Sequence, residues 1–204
     1  MIENIHWLGH ATFKIIAEDK IIYIDPFQIK KEDQADIILI THEHFDHCSP
    51  KDVEKIQKPD TIIVTTNDCA LKLSGNIKKV KPGDKINVKG IEIEAVPAYN
   101  TNKKFHPKEN NWVGFIINIK GTRIYHAGDT DKIPEMKDFK NIDIALLPVS
   151  GTYVMTAEEA AEAALIINPK IAIPMHYGSI VGSEEDAKRF ADLLKGKIEV
   201  VIKT

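Results

Sequence analysis

The sequence predicts an α+β fold in which two β-sheets pack face to face and helices cover their outer faces. Short strand-like runs dominate the first two-thirds of the chain, and in the last third such runs alternate with a few well-separated helical segments. The chain has 204 residues, 43% of them hydrophobic, which is enough for one large core. Because no Gly/Ser-rich or Pro-rich stretch resembles a linker, we expect a single domain over residues 1–204.

The predicted strands are short apolar or alternating runs that are rich in β-branched residues. In the first two-thirds of the chain they cover residues 2–7, 12–16, 21–24, 37–40, 61–65, 91–96, 113–119 and 123–125. The later strands are predicted at 143–147, 171–174 and 198–202, and the helices between them at 157–167 and 184–194. So many strands with so few helices favour two stacked sheets.

Both late helices begin with a capping signal. Thr156 and Glu159 have the spacing of a capping box, in which each side chain bonds to the backbone N–H of the other residue. Ser183 and Asp186 make a similar start for the second helix, and Gly196 ends it. Local residues alone therefore predict the limits of these helices.

The most informative segment is residues 42–47, His-Glu-His-Phe-Asp-His, which offers three imidazoles and a carboxylate within six residues. The apolar run before it is typical of a buried strand, which would deliver His42 to its carboxyl end. His42 and His44 are two residues apart and would project to the same side of an extended chain. The turn that follows would carry Asp46 and His47 to a second position. This pattern predicts a metal site, and one segment could serve two ions.

The residues after this segment predict the start of a helix. Ser49 is a good N-cap, Pro50 suits the first helical position, and Asp52 favours the positive end of the helix dipole. The histidine-rich segment is therefore a loop held between a strand and a helix, and loops held in this way often carry chemistry. The alternative interpretation, a solvated polar loop that merely contains histidines, does not explain the alternating spacing.

Other candidate site residues also follow predicted strands, because a metal centre needs ligands that converge from rigid elements on one edge. Asp129 lies in a Gly-Asp turn and is either a carboxylate that bridges two ions or a common turn aspartate. His176 follows an apolar strand and is a candidate ligand. Asp25 ends another strand, where it either accepts a hydrogen bond from a ligating histidine or caps a turn.

Taken together, these motifs resemble the metallo-β-lactamase superfamily. The matches to its His-x-His-x-Asp-His hallmark, its bridging aspartate and its final histidine are His42, His44, Asp46, His47, Asp129 and His176. Segments that resemble the small single-domain hydrolases related to ascorbate-6-phosphate lactonase are Gly9-His10-Ala11, Asp25-Pro26-Phe27, Tyr125-His126-Ala127-Gly128-Asp129-Thr130 and Pro174-Met175-His176-Tyr177. The resemblance spans nearly the whole chain and implies a four-layer αββα sandwich of two mixed β-sheets.

One position departs from the family pattern. A histidine usually follows the strand that we predict at 91–96, but this chain has Asn100 there. An amide is a weak zinc ligand. The missing nitrogen could come from His106, six residues further along a polar loop, or from His10 in the turn after the first strand. The alternative for each is an ordinary solvated histidine.

The resemblance implies a centre with two metal ions. The first ion would be held by His42 and His44 with either His106 or His10, and the second by Asp46, His47 and His176, with Asp129 as the bridge. A metal-activated water would be the nucleophile, and Asp46 or a nearby histidine such as His10 would move the proton to the leaving group. Two zinc ions suit the nitrogen-rich donors, and manganese, iron or nickel would be accepted by the same mixed ligands.

These features predict a hydrolase that acts on a small-molecule ester, lactone or phosphoester. Two alternatives stay open, namely a metal-dependent phosphodiesterase or nuclease, and a non-catalytic metal-binding protein, which Asn100 brings into consideration. In the candidate pocket loops, Lys103 and Lys104 either bind an anionic group or face water. The substrate itself is not predicted.

Charge and hydropathy exclude some partners. The net charge is only −3 and no basic stripe is present, so neither nucleic acid nor an anionic membrane is an expected partner. The chain opens directly with a strand-like run, and no apolar stretch approaches membrane length, so we expect a cytoplasmic protein. Nothing in the pattern predicts the oligomeric state.

Overall fold

The computed structural model describes residues 1–17, 19–30 and 32–204, which form two mixed β-sheets flanked by helices. The strands of the first sheet are β1 (Ile5–Gly9), β2 (Thr12–Ala17), β3 (Lys20–Ile24), β4 (Ile37–Ile40), β5 (Ile62–Thr65) and β6 (Asn76–Lys79). Those of the second are β7 (Lys85–Val88), β8 (Ile91–Pro97), β9 (Val113–Ile119), β10 (Thr122–His126), β11 (Ile144–Pro148), β12 (Ile171–Met175) and β13 (Glu199–Val200). The α-helices are α1 (Pro50–Ile56), α2 (Asn67–Ala70), α3 (Ala157–Ile167) and α4 (Glu184–Leu194), and short 3-10 helices lie at Ile2–Asn4, Lys108–Asn110 and Pro134–Asp138.

Both sheets begin antiparallel and end parallel. In the first sheet β1, β2 and β3 pair antiparallel, and β3 to β6 pair parallel in chain order. In the second sheet β7 to β10 pair antiparallel, and β10 to β13 pair parallel. A strand that lies two antiparallel neighbours away runs in the original direction. The carboxyl ends of β1, β3 and β4 therefore lie at the same end of the first sheet, and those of β8, β10 and β12 at the same end of the second. The loops after these six strands carry every candidate site residue.

Strand β4 explains why the run before the histidine-rich segment is continuously apolar. Ile37 and Leu39 belong to the large core that both sheets share. Ile38 and Ile40 point the other way, into a smaller cluster that contains Ile56 of α1. Because both faces of the strand are covered, no position in it needs to be polar.

Helices α3 and α4 cover the outer face of the second sheet, where they contact β11 and β12 respectively. Their limits agree with the sequence prediction, and both predicted capping boxes are present. The predicted architecture, two mixed sheets with helices outside, is confirmed. Within the described residues, no helix is both long and apolar enough to cross a membrane.

Several local predictions were wrong. The predicted first strand is too long, because Ile2–Asn4 form a 3-10 helix before β1 begins. Strands β6 and β7 were not predicted, because each is an edge strand of only four residues that contains lysine and asparagine, two residues that strands usually disfavour.

Ser49 precedes α1 as predicted, but its side chain does not cap the helix. Its hydroxyl donates instead to Asp52 Oδ2 at 2.7 Å. The Asp52 carboxylate also accepts the backbone N–H groups of Gln28 and Ile29, both at 3.0 Å. Asp52 therefore fastens the loop after β3 to the start of α1, a long-range contact that the local pattern does not reveal.

We expect Gly114→Ala to destabilise the protein by about 1–3 kcal/mol, as overpacking in a core usually does. A Cβ at Gly114 would lie 2.7 Å from the backbone oxygens of both His126 and Ala127, just before the Gly-Asp turn. Thermal unfolding with and without added metal measures the effect. Gly121→Ala is the control, since its Cβ would meet nothing within 4 Å and only its φ of +84° is strained. The loss in Gly121→Ala reports the backbone strain alone, and a loss of less than about 1 kcal/mol in Gly114→Ala would contradict the prediction.

Candidate metal centre

Three overlapping groups of histidine and aspartate side chains lie where the strand ends of the two sheets meet. Within each group, one possible ligand atom from every residue lies within 4.8 Å of the others. The groups are His42, His44 and His106; His10, Asp46, His47 and His176; and His42, His47 and Asp129. The structure therefore brings every residue that the sequence proposed as a ligand into one place, together with His10.

The first group is built by two loops. His42 and His44 follow β4, and Nε2 of His42 lies 3.1 Å from Nδ1 of His44. His106 comes from the segment between β8 and β9, and its ring centroid lies 4.9 Å from that of His44. Of the two histidines that the sequence offered for this position, the structure places His106 here.

His10 lies in the second group. Its Nε2–H donates to Asp46 Oδ2 at 2.9 Å, and its ring centroid lies 4.0 Å from that of His176. His47 completes the group, with Nε2 lying 3.6 Å from the same Asp46 oxygen. His10 is thus placed to hold or exchange a proton with Asp46, and it is not positioned to join His42 and His44.

The carboxylate of Asp129 lies between the two groups. Its Oδ2 is 3.1 Å from Nε2 of His176 and 3.2 Å from Nε2 of His106. Its Oδ1 is 3.2 Å from Nε2 of His47. The preceding Gly128 has a φ of +63°, and a Cβ there would meet the Val113 carbonyl oxygen at 2.9 Å, so only glycine allows this turn. Contact with both groups suits Asp129 to a bridging position.

Asp25 and Thr41 set the orientation of two histidines. Asp25 is fully buried and accepts the Thr41 backbone N–H at 2.8 Å, the Thr41 hydroxyl at 2.7 Å and Nδ1–H of His47 at 2.7 Å. Because the Thr41 hydroxyl gives its proton to Asp25, it accepts Nδ1–H of His42 at 2.9 Å. Both histidines therefore direct Nε2 into the site. The sequence interpretation of Asp25 as an acceptor for a histidine N–H is confirmed.

Asn100 orients His106 and does not face the site as a ligand. Its Oδ1 accepts the backbone N–H of His106 at 2.9 Å and Nδ1–H of its ring at 3.1 Å. Its Nδ2 donates to Asp131 Oδ1 at 3.1 Å and to the Tyr153 carbonyl at 3.0 Å. The amide is therefore fixed from both ends, and His106 directs Nε2 towards Asp129.

Asp131 was not found from the sequence. It is 1% exposed, and its carboxylate accepts the backbone N–H of Thr101 and the ammonium of Lys103, each at 2.7 Å. Together with the hydrogen bond from Asn100, these contacts hold the loop that carries His106 in its folded-back position. The available signal was a second carboxylate two residues after Asp129. The Lys103 ammonium is thus paired with a buried carboxylate.

Three other residues contact the clustered histidines or the Gly-Asp turn, and the sequence did not predict these contacts in detail. Trp112 packs against the first group, with ring centroids 4.9 Å from His42 and 4.8 Å from His44. Ser150 Oγ lies 3.1 Å from Nδ1 of His176. Both nitrogens of His126 are used inside the protein, by the Ala11 carbonyl and the Gly128 N–H, so this histidine supports the turn.

The donor set fits divalent metal ions. Buried atoms that meet no hydrogen-bond partner among the described residues include His10 Nδ1, His47 Nε2, His106 Nε2, His176 Nε2 and Asp129 Oδ1. Buried polar atoms nearly always have partners, so such a concentration needs an explanation. Three of these nitrogens lie close to the Asp129 carboxylate without hydrogen-bonding geometry. Nitrogen and oxygen lone pairs that converge in this way are the usual environment of zinc and related ions.

Charge interactions within the site shift several pKa values. Burial lowers the pKa of His42 well below its usual value. Burial also opposes charge on His47, but the carboxylates of Asp129 and Asp25 outweigh this and raise its pKa well above the usual value. Burial would raise the pKa of Asp46, yet the N–H of His10 and the charge of His47 lower it to about 2. The site therefore holds ionised carboxylates beside one histidine with a strong tendency to bind a proton.

We expect cation uptake to release protons and to weaken as the pH falls. The raised pKa of His47 keeps a proton on a nitrogen that a cation needs, so acidification favours the proton and alkaline pH favours the cation. Calorimetric titration with Zn²⁺ in two buffers of different ionisation enthalpy measures the protons released. Asp25→Asn removes one of the stabilising carboxylates and should reduce their number. Identical heats in both buffers would contradict the prediction.

Comparisons with known proteins find similar chains over most of the sequence. A family model described as the β-lactamase superfamily domain matches residues 4–176. A protein named UPF0173 metal-dependent hydrolase from Thermoplasma acidophilum is 37% identical over 93% of this chain and 90% of its own length. One from Methanopyrus kandleri is 33% identical over 98% of this chain and 96% of its own length.

Solved structures resemble the fold over nearly the whole chain. A protein described as a metal-dependent hydrolase from Parabacteroides distasonis superposes with a TM-score of 0.89 at 40% identity, covering 98% of this chain and 91% of that one. The metallo hydrolase Igni18 from Ignicoccus hospitalis superposes with a TM-score of 0.77 at 24% identity, covering 97% of this chain and 93% of that one. The second similarity concerns the fold alone.

Proposed function

The chain belongs to the β-lactamase superfamily, and from this premise we propose that it is a metal-dependent hydrolase that uses a metal-activated water on a small ester, lactone or phosphoester. One observation carries the proposal. Buried ring nitrogens of three histidines, without hydrogen-bond partners among the described residues, converge on the buried carboxylate of Asp129. Such an arrangement is costly unless a cation is bound.

We assign two ions to this donor set. The proposed ligands of the first ion are His42, His44 and His106, those of the second are Asp46, His47 and His176, and Asp129 contributes to both. Zinc fits the nitrogen-rich donors, and manganese, iron or nickel would compete for them. Because both sheets supply ligands, we propose that residues 1–204 act as a single domain.

The bound ions would supply a water molecule with a lowered pKa and a positive charge next to the scissile carbonyl or phosphoryl oxygen. The protein residues would orient the reacting groups and transfer protons. Asp46 lines the cavity beside the site and accepts the N–H of His10. We assign to this pair the transfer of the proton from the attacking water to the leaving group. Asp25 and Asn100 keep the ligand nitrogens directed inwards.

The test removes and restores the metal. The purified protein is stripped with a chelator, reloaded separately with Zn²⁺, Mn²⁺ and Fe²⁺, and assayed with a simple ester, a lactone and a phosphodiester. We expect hydrolysis that depends on metal and that His44→Ala abolishes. His6→Ala is the matched control, because His6 lies in β1 outside the clustered residues.

The outcomes separate the candidate activities. Preferential turnover of the phosphodiester would favour a phosphodiesterase over an esterase or lactonase. Metal-dependent hydrolysis that persists at the original rate in His44→Ala would refute the assignment of this site. Two bound ions with no turnover of any of the three substrate classes would favour the non-catalytic alternative.

A further inference from the structure

Exposed apolar side chains gather at one cavity, next to the metal centre. Three of the seven large hydrophobic side chains that are exposed in the described part of the chain line it, namely Phe45, Phe105 and Ile180, which are 69%, 48% and 39% exposed. The cavity has a volume of about 210 Å³, and its wall includes Asp46 and Asp129. Single exposed hydrophobic residues are common, but a cluster of them usually marks a binding site.

The loops that carry these side chains are the loops that carry the site. Phe45 lies between His44 and Asp46, and Phe105 directly precedes His106. The ring of Phe105 packs edge-to-face against Tyr153, with centroids 4.7 Å apart. The polar neighbours of Phe45 and Phe105 are held in place, Asp46 by His10 and His106 by Asn100, so both rings lie beside the metal centre.

The cavity offers no positive side chain to an anionic substrate. Of the described residues that line it, none is lysine or arginine. Lys103 lies in the same loop as Phe105, but its ammonium is 2.7 Å from the buried carboxylate of Asp131. A phosphate or carboxylate on the outer part of a substrate would meet aromatic rings and would lose hydration without gaining a partner.

We propose that this cavity binds the apolar part of an uncharged ester or lactone, with an aromatic or aliphatic substituent resting against Phe45, Phe105, Tyr153 and Ile180. The inference rests on the proposed hydrolase function and narrows its substrate class. Water adds its oxygen to the acyl carbon, the acyl C–O bond breaks, and the proton passes to the departing alkoxide, giving a carboxylic acid and an alcohol. A cavity of about 150 Å³ holds one benzene ring, so this one accommodates a ring or a chain of several carbons.

The first experiment measures kcat/KM of the metal-loaded protein for ethyl acetate, butyrate, hexanoate and octanoate, and for monoethyl adipate. Each buried methylene should raise kcat/KM about two- to fourfold. Monoethyl adipate has the chain length of ethyl hexanoate but ends in a carboxylate, and we expect at least a tenfold lower value for it. A flat series, or a preference for the adipate, would overturn the inference.

The second experiment alters the cavity. Phe105→Ala and Ile180→Ala should each lower the ratio of hexanoate to acetate turnover, by about tenfold for the larger aromatic side chain. Leu165→Ala is the control, since Leu165 is 45% exposed on α3 and does not line this cavity. A ratio that changes equally in the control would contradict the role of the cavity.

A binding measurement separates failure of this inference from failure of the hydrolase proposal. Acetohydroxamate and hexanohydroxamate, whose head groups ligate metal, are titrated calorimetrically into the metal-loaded protein. If no ester, lactone or phosphodiester is hydrolysed, but hexanohydroxamate binds at least tenfold more tightly and Phe105→Ala removes the difference, the cavity assignment holds and the hydrolase proposal fails. If esters are hydrolysed but both hydroxamates bind equally, the hydrolase proposal holds and the apolar cavity is refuted.

Discussion

Asp129→Asn is expected to lose metal-dependent hydrolysis and to bind fewer ions per chain. Asp129 contacts nitrogens from both groups of histidines, at 3.1 Å for His176 and 3.2 Å for His106 and His47. An amide has the same shape but no negative charge, so it cannot neutralise two cations. The loss should exceed the roughly 10- to 100-fold that removal of an outer hydrogen-bond partner costs a metal site.

Metal content by mass spectrometry and the rate of ester hydrolysis measure the effect of Asp129→Asn. Asp131→Asn is the matched control, because Asp131 is also buried and lies two residues away, but it contacts the loop of Asn100 and not the clustered histidine nitrogens. We expect the control to keep more metal and more activity. If the Asp129→Asn variant retained two ions and the original rate, the carboxylate would not be a bridge.

His106→Ala is expected to remove the ion assigned to the first group and to leave the second group able to bind. The structure supplies no other imidazole at that position among the described residues, since His10 is bonded to Asp46 in the second group. Zinc titration should then show one strong site fewer, and the hydrolysis rate should fall with it. If His10 completed the first site instead, His10→Ala would cause this loss and His106→Ala would not.

Asn100→Ala is expected to weaken metal binding less than His106→Ala does. It leaves the His106 imidazole in place but removes the acceptor for its Nδ1–H and its backbone N–H. We expect metal affinity to fall roughly 10- to 100-fold, as for other outer partners of metal ligands. An effect as large as that of His106→Ala would mean that Asn100 itself binds the ion.

Much of the fold was predictable because its signals are local. The capping boxes of α3 and α4 lie within the helices that they begin, and the alternate side chains of β4 all face apolar clusters. Strands β6 and β7 lacked such a signal. Each is an edge strand of only four residues that contains lysine and asparagine, two residues that strands usually disfavour.

The sequence placed the candidate residues that follow strands without an alternative, whereas for the first group it offered both His106 and His10. His176 follows β12 directly and His42 lies two residues after β4, so their convergence could be inferred from chain direction. The position of His106 depends on Asn100, and Asn100 is held by Asp131. The carboxylate of Asp131 accepts hydrogen bonds from three residues of this loop, which lie about 30 positions before it in the chain. Such contacts have no short-range pattern, and for that reason Asn100 resembled a lost ligand in the sequence.

The residues clustered at the metal centre come from both sheets, so their distances depend on how the sheets are placed relative to each other. Strands β1 to β6 form one sheet and β7 to β13 the other, so the proposed ligands before residue 50 and those after residue 100 are attached to different layers. A slide of one layer over the other would leave the distances among His42, His44 and His47 unchanged. It would alter every distance from these residues to Asp129. We therefore expect core substitutions that shift one sheet relative to the other to lower the metal content, even when they lie far from the histidines.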